Sequence, residues 1–319
     1  MNSIEKALQK QQQDAEVKSK SQLSQQQEVI GSMPSENSIE KLQSSQIAKN
    51  VQKNKSPQAV QTPQARPAKS DGIISNTKIE IDLDMLEQRG FVSTNSHRQV
   101  ITEEYRVIKR KLLDNAFGPL SKSLKNSNII MVTSARQGEG KTFTAINLAL
   151  SIALEQDKTV LLVDADVLRP NVMRTLEQEN KQGLIEYLLG EKENIAEVMC
   201  RTNLDKLRII TAGKYHHLSA ELLASERMVT AVEEFANRYT DRVVIVDTPP
   251  LLGINETAIL ANLAGQALVV TEEFKTKLVD VTNAVKHLKP EMAIGFVVNK
   301  TEQVNMEGGG YGYYYGGSN

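Results

Sequence analysis

The sequence has few aromatic residues, a single cysteine and almost no net charge. Phe, Trp and Tyr together make up 4% of its 319 residues, and Trp is absent. A formal net charge of −1 gives no overall field that would draw the chain to nucleic acid or to an anionic membrane. Cys200 has no second cysteine with which to form an intrachain disulfide, which fits a reducing compartment. No apolar run of about 18 residues occurs, so we expect no membrane-spanning helix.

Composition divides the chain into three parts. Residues 1–78 are rich in Gln, Ser, Lys and Asn and contain no aromatic residue. Such a segment cannot bury enough apolar surface to offset the entropy that is lost on ordering. We therefore expect a disordered segment at 1–78, an ordered domain over 79–307, and a tail rich in Gly and Tyr over 308–319.

The ordered part alternates short apolar runs with helical patterns. Strands are expected at residues 129–132, 160–163, 207–210, 243–246, 267–270 and 293–298. Helices are expected at residues 143–154, 183–189, 220–239 and 278–288. A helix capped by Thr102 should precede them, and residues 79–84 fit either a short strand or a helical turn. The alternation predicts an α/β fold with a doubly wound, mostly parallel sheet that helices cover on both faces.

The most specific motif is A-R-Q-G-E-G-K-T at residues 135–142, between a strand pattern and a helix pattern. Gly138 and Gly140 allow the backbone to curl so that its N–H groups surround phosphate oxygens. Lys141 would reach the β- and γ-phosphates of a nucleotide, and Thr142 would bind Mg²⁺. An ordinary glycine turn before a helix is the alternative, but the strand–turn–helix context favours a P-loop.

Three aspartates follow predicted strands. Asp164 and Asp166 close the second strand, and Asp247 closes the strand at 243–246. The carboxyl ends of parallel strands line the ligand crevice of a doubly wound sheet. One carboxylate could therefore approach Mg²⁺ while another accepts a proton from an attacking hydroxyl. Each aspartate alone could equally be a polar strand end.

Residues 129–300 resemble the cytoplasmic domain of bacterial tyrosine kinases (BY-kinases) of the capsular exopolysaccharide family, which are P-loop proteins related to partition ATPases. The matching motifs are G-E-G-K-T at 138–142, three apolar residues and D-x-D at 161–166, and three apolar residues and D-x-x-P at 244–250. The branch of exosortase-associated tyrosine autokinases is similar over I-D-L-D at 81–84 and E-Y-R-V-I-K-R at 104–110.

The resemblance implies an enzyme that uses ATP and Mg²⁺ to phosphorylate protein tyrosine. It makes Asp164, together with Lys141, the expected catalytic pair, with Asp164 orienting or deprotonating the tyrosine hydroxyl. The metal ligands would be Thr142, Asp166 and Asp247. The nucleotide-binding set would be Gly138, Glu139, Gly140, Lys141, Thr142, Phe143 and Asn299.

Two departures from the family pattern concern arginines. Many members have Arg two residues after the second Asp, where this chain has Leu168 followed by Arg169. The family's subunit-packing motif E-x-x-R-x-x-R is matched here by Glu103, Arg106 and Lys109. The resemblance implies a homo-oligomer. Because Lys lacks the planar fork of Arg, a ring is only one of the arrangements that remain open for it.

The tail holds four of the eight tyrosines, at Tyr311, Tyr313, Tyr314 and Tyr315. Its glycines would let it enter the site of another subunit, and the resemblance implies autophosphorylation in trans. A low-complexity, adhesive tail is the alternative. The resemblance also implies a separate membrane activator of the chain-length-determinant type, a cytoplasmic location at the inner membrane through that activator, and no nucleic-acid partner.

Two other functions compete with a tyrosine autokinase that regulates exopolysaccharide polymerisation or export. One is a partition-type P-loop ATPase that acts as a nucleotide-dependent dimerisation switch, and the other is a non-enzymatic scaffold. Partition ATPases usually carry a signature Lys where this chain has Arg136. The membrane-positioning branch ends in a basic amphipathic helix, whereas this chain ends in Gly and Tyr. Both differences favour the kinase.

Overall fold

A computed structural model describes residues 77–93 and 100–302. Over this part of the chain, eight strands form one sheet in the order β1-β4-β5-β3-β6-β2-β7-β8. The strands are β1 Lys78–Ile79, β2 Ile129–Ser134, β3 Thr159–Asp164, β4 Met199–Thr202, β5 Leu207–Ile210, β6 Arg242–Asp247, β7 Gln266–Glu272 and β8 Ala293–Asn299. Neighbouring strands run parallel except β4 and β5. The predicted fold class is confirmed.

Helices connect the strands. They are α1 Leu83–Gln88, α2 Val100–Phe117, α3 Lys141–Ala153, α4 Val172–Thr175, α5 Leu184–Leu188, α6 Ser219–Leu223, α7 Glu226–Asn237, α8 Asn255–Ala261 and α9 Leu278–Val285. Short 3-10 turns at Pro119–Ser123 and Ile195–Val198 complete the connections. Within the described residues, none of the helices combines the length and the apolar character needed to cross a bilayer.

Two apolar cores lie on opposite faces of the sheet. Every residue of β2 is buried, as expected for a parallel strand with helices on both faces. Helices α2 and α3 pack on one face, and α5, α7 and α9 supply buried residues to the other. This packing fixes the carboxyl ends of β2, β3 and β6 at one edge of the sheet.

Some predicted helix boundaries were wrong. The helix expected over 220–239 is divided into α6 and α7, because the Ser225 side chain accepts the N–H of Met228 and caps a new helix. Helix α2 begins at Val100 rather than after Thr102. Ile101 packs against the apolar core there, so burial outweighs the capping preference of Thr102.

Strand β4 was not predicted. It has only four residues, and its central Arg201 is exposed, so its sequence lacks an apolar run. It pairs antiparallel with the nearby β5, and on its other side it pairs with β1, which is more than 100 residues away in the sequence. The four tail tyrosines and residues 1–76 lie outside the described residues, so the predicted disorder and the tail boundaries stay predictions.

Candidate nucleotide and phosphoryl-transfer site

The segment between β2 and α3 forms a tight glycine-containing turn. Gly138 and Gly140 have φ values of +88° and +100°, a backbone region that favours glycine. A Cβ at position 140 would lie 1.9 Å from the amide nitrogen of Asn299. Helix α3 begins at Lys141, which is 7% exposed. The turn therefore joins a buried strand to a helix N-terminus, which is the geometry that holds phosphate.

Glu139 holds this turn in shape. Its side chain is 3% exposed, and its carboxylate accepts the N–H of Arg136 at 2.8 Å and the hydroxyl of Thr276. The amide of Asn299 donates to the Glu139 carbonyl at 3.0 Å. The side chains of Glu139 and Asn299 thus hold the backbone of the turn from within the protein.

Two cations brace the outer side of the turn. The Arg136 guanidinium donates to both carboxylate oxygens of Asp280 on α9, at 2.7 and 2.9 Å. The ammonium of Lys300 donates to the Gly138 carbonyl at 2.8 Å. Sequence reasoning missed Thr276 and Asp280, because no local pattern marks a residue whose partner is more than 130 positions away.

The three predicted aspartates meet at the same edge. Asp164 and Asp247 are register partners on β3 and β6. One oxygen of Asp247 accepts the Thr142 hydroxyl at 2.7 Å, and its other oxygen is buried and has no hydrogen-bond partner among the described residues. The predicted Thr142–Asp247 pair is therefore brought together.

Asp164 and Asp166 differ in their surroundings. Asp164 is 1% exposed and accepts the backbone N–H groups of Asp166, Asn171 and Val172 at 3.1–3.2 Å. Asp166 is 8% exposed and accepts the N–H of Arg169 at 3.2 Å. Asp164 therefore also shapes the loop that follows β3.

Burial raises the pKa values of all three carboxyl groups. The pKa of Asp164 lies well above its usual value because of burial and then the charge of Asp247. Burial raises the pKa of Asp247 to about 7, and burial is also the main cause of the raised pKa of Asp166. A nearby divalent cation would favour the charged forms.

Two other residues named in the sequence analysis, Phe143 and Arg169, have clear surroundings. The Phe143 ring is partly buried, lies 4.6 Å from the Phe91 ring between centroids and packs against the apolar core. Its side chain therefore contributes to packing beside the turn. Arg169, beside Leu168, reaches the turn itself and donates to the Gln137 side chain. It supplies a cation near the phosphate turn although Leu occupies the usual arginine position.

The residues of the predicted interface motif on α2 differ in exposure. Arg106 pairs with Glu103 at 2.9 Å on the exposed face. Lys109 is buried, where it pairs with Glu155 and donates to the Ser151 carbonyl at 3.0 Å. Lys109 thus joins α2 to the C-terminal end of α3 within the subunit.

Comparison with known proteins identifies the family. The model of the AAA domain family matches residues 127–290. Tyrosine-protein kinase YwqD of Bacillus subtilis is 33% identical over 230 residues, which cover 71% of this chain and 92% of YwqD. The chain belongs to the bacterial tyrosine kinases. A putative tyrosine-protein kinase, EpsB of Ralstonia nicotianae, is 35% identical over 191 residues, but this chain spans only 25% of its length.

Solved kinase domains share the fold. The kinase domain of Escherichia coli tyrosine kinase ETK is similar with a TM-score of 0.55 and 26% identity, over 75% of this chain and 94% of that one. The BceF tyrosine kinase domain is similar with a TM-score of 0.56 and 25% identity, over 68% and 86% of the two chains.

Changing Thr276 should weaken nucleotide binding by this kinase. The Thr276 hydroxyl accepts the N–H of Glu272 at 2.8 Å and donates to Glu139. Thr276→Val removes both bonds at nearly constant volume, at a cost of about 1–3 kcal/mol, and Thr276→Ser keeps them. We expect the Val variant to raise the ATP dissociation constant several-fold and the Ser variant to bind like the unchanged protein. Calorimetric titration measures ATP binding. If the Val variant binds ATP as tightly as the Ser variant does, the contact between Thr276 and Glu139 does not position the turn.

Proposed function

We propose that this kinase transfers the γ-phosphoryl group of ATP to the tail tyrosines of another copy and thereby regulates exopolysaccharide polymerisation or export. The acceptors would be Tyr311, Tyr313, Tyr314 and Tyr315. Mass spectrometry of the tail after incubation with ATP and Mg²⁺ tests the proposal.

One observation carries the proposal. The glycine turn, Lys141 and the carboxylates of Asp164, Asp166 and Asp247 lie together at the carboxyl edge of the sheet. Phosphoryl transfer requires mainly positioning and charge stabilisation, and this edge offers backbone N–H groups, an ammonium and acidic side chains. The family relationship supports tyrosine as the acceptor.

Thr142, Asp166 and Asp247 would hold Mg²⁺. The unpartnered buried oxygen of Asp247 and the adjacent Thr142 hydroxyl are hard oxygen donors, which suit this ion. Among the described residues, no group of three His, Cys, Asp or Glu side chains could hold a metal by itself. Phosphate oxygens and water would therefore complete the ligand set. Bound Mg²⁺ would neutralise charge on the phosphate oxygens.

Asp164 is our candidate for the group that orients the acceptor and takes its proton. The tyrosine oxygen bonds to the γ-phosphorus, the bond from phosphorus to the β,γ-bridging oxygen breaks, and ADP leaves. The hydroxyl proton passes to the carboxylate. Lys141 would stabilise the charge that develops on the phosphate oxygens. The backbone contacts of Asp164 would hold its carboxylate in place for this role.

The proposed assembly is a homo-oligomer that a separate membrane activator of the chain-length-determinant type brings to the inner membrane from the cytoplasm. The exposed Glu103 and Arg106 remain candidates for contacts between copies. Lys109 would act by fixing α2 against α3, because its ammonium is already bound within the subunit. No nucleic-acid partner is proposed, in line with a net charge of −1.

Phosphorylation of the tail should loosen the assembly. Each phosphate adds about −1.5 to −2 charge, and four would place a strong negative charge beside the carboxylates of Asp164, Asp166 and Asp247. We expect self-association of the unphosphorylated chain and of a variant with all four tail tyrosines changed to Phe, and monomers after phosphorylation. Light scattering at matched concentration measures this. Equal masses for the two forms would leave the tail a substrate without a role in assembly.

A further inference from the structure

The loop that follows β3 directs an exposed arginine toward the phosphate turn. Arg169 lies between Asp166 and α4, and its side chain is exposed. The guanidinium donates to the side-chain oxygen of Gln137, which precedes Gly138 in the turn and is exposed as well. This contact joins two loops whose residues lie 32 positions apart in the sequence.

The contact between Arg169 and Gln137 spans the crevice of the candidate site. The turn follows β2 and Arg169 follows β3, and β6 lies between these two strands in the sheet. Two strand spacings, about 10 Å, therefore separate β2 from β3. The carboxyl end of β6 carries Asp247. The Arg169 side chain thus reaches past the end of the strand that holds this buried carboxylate.

The backbone of the loop holds Arg169 in position. Its N–H donates to the carboxylate of Asp166 at 3.2 Å and to the carbonyl of the same residue at 3.1 Å. The N–H of Val172 donates to the Asp164 carboxylate at 3.1 Å. Pro170 has a fixed φ and restricts the backbone of the residue before it. Arg169 is therefore anchored on both sides, and its long side chain is the part that can change partner.

Two cations act on Asp166 from different elements. Burial raises the pKa of Asp166, while the positive charges of Lys141 and of Arg169 act in the opposite direction. Both cations are therefore close to this carboxylate. Lys141 begins α3 behind the turn, whereas Arg169 belongs to the loop after β3. A phosphate group held between the turn and this loop would meet positive charge from both.

Arg169 differs from the other cations that contact the turn. Arg136 and Lys300 are paired with carboxylates on α9 and β7. Across residues 77–93 and 100–302, Arg169 forms no ion pair with an acidic side chain. The uncharged amide of Gln137 is a weaker partner for a guanidinium than a phosphate oxygen is. A phosphate can therefore displace Gln137 from Arg169.

We propose that Arg169 exchanges Gln137 for the γ-phosphate when ATP binds, and that it then acts as a catalytic residue by stabilising the phosphoryl group during transfer. The γ-phosphate must lie between the turn and Asp164 if transfer takes place there, and this placement rests on the proposed function. The planar guanidinium can donate two parallel N–H bonds to phosphate oxygens. Negative charge is spread over these oxygens in the transition state. Arginine stays protonated, so Arg169 moves no proton.

Nucleotide selectivity tests this contact without relying on transfer. ADP lacks the γ-phosphate, so Arg169 should favour a triphosphate over ADP. The probes are ADP and the β,γ-imido analogue of ATP, each titrated calorimetrically with Mg²⁺ into the full chain after phosphatase treatment. We expect Arg169→Gln to reduce the preference for the triphosphate several-fold while ADP binding stays unchanged. Arg169→Lys should keep part of the preference, because it retains the charge without the planar fork.

Two further variants separate this role from a structural one. Gln137→Ala removes the present partner of Arg169 but leaves the arginine, so the preference for the triphosphate should persist. Arg201→Gln is the control for the loss of a positive charge. Arg201 is exposed on β4, and its register partner Arg208 lies near the amino end of β5, at the edge of the sheet opposite the turn. This control should bind both nucleotides as the unchanged chain does.

Single-turnover transfer to protein tyrosine gives the catalytic readout. At saturating ATP, Arg169→Gln should slow transfer on the order of a hundredfold, and Arg201→Gln should not slow it. An unchanged triphosphate preference in Arg169→Gln would overturn the proposal. An equal loss of preference in Gln137→Ala would also overturn it, because the pair would then only brace the turn. Nucleotide binding that persists undiminished in Lys141→Met would instead refute the phosphate site, and the role of Arg169 with it.

Discussion

The Lys141→Met variant is expected to lose tyrosine phosphorylation by about a hundredfold to a thousandfold while keeping its fold. Lys141 is the first residue of α3 and is nearly buried beside the glycine turn. Its ammonium is positioned to neutralise charge that develops on the phosphate oxygens during transfer. Met has a similar length and no charge, so packing should change little.

Labelled phosphate on protein tyrosine measures this effect, and thermal unfolding checks the fold. Lys122→Met is the matched control, because Lys122 is exposed in the turn Pro119–Ser123, which precedes β2, whereas the P-loop follows the other end of that strand. It should retain full activity. Undiminished transfer in a folded Lys141→Met chain would contradict the assignment of the glycine turn as the phosphate site.

The second large effect separates the two aspartates that follow β3. Asp164→Asn should retain binding of ATP and Mg²⁺ but lose transfer by about a hundredfold to ten-thousandfold. Asp166→Asn should lose transfer and should also weaken Mg²⁺-dependent nucleotide binding. Calorimetric titration with and without Mg²⁺, together with single-turnover transfer, distinguishes the two losses.

A stability measurement must accompany the Asp164 variant. An Asn amide can accept only through its oxygen, so at least one backbone N–H now bound by Asp164 would face an NH₂ group. We expect a loss of about 1–3 kcal/mol in the free energy of unfolding. If Asp164→Asn instead abolishes Mg²⁺-dependent binding and Asp166→Asn only transfer, the two roles are reversed.

Local sequence signals predicted most of the scaffold. Gly138 and Gly140 stand where the backbone adopts positive φ, and the apolar runs became strands of a mostly parallel sheet, buried except in the edge strand β8. Because parallel strands end at a common edge, the strand pattern alone placed Asp164, Asp166 and Asp247 together. The elements that the sequence did not predict were short ones such as β4, whose formation depends on pairing with β5.

The supporting contacts could not be predicted, because they join remote parts of the chain. Asp280 meets Arg136 from α9, and Thr276 meets Glu139 from the loop after β7. The partner of Lys109 could not be predicted from the sequence either. Its motif suggested a contact with another copy, but its ammonium binds the end of α3 within the subunit. A motif gives residue types and spacing, but the fold decides which side of a helix is covered.

Mass spectrometry of the C-terminal peptide after incubation with ATP and Mg²⁺ tests the central claim most directly. The account predicts phosphate on Tyr311, Tyr313, Tyr314 or Tyr315 in the unchanged chain and its loss in Lys141→Met. Mixing the Lys141→Met chain with an active chain whose four tail tyrosines are Phe should restore phosphate to the former, as transfer in trans requires. ATP hydrolysis without any phosphotyrosine on the tail would contradict the account and favour a partition-type ATPase.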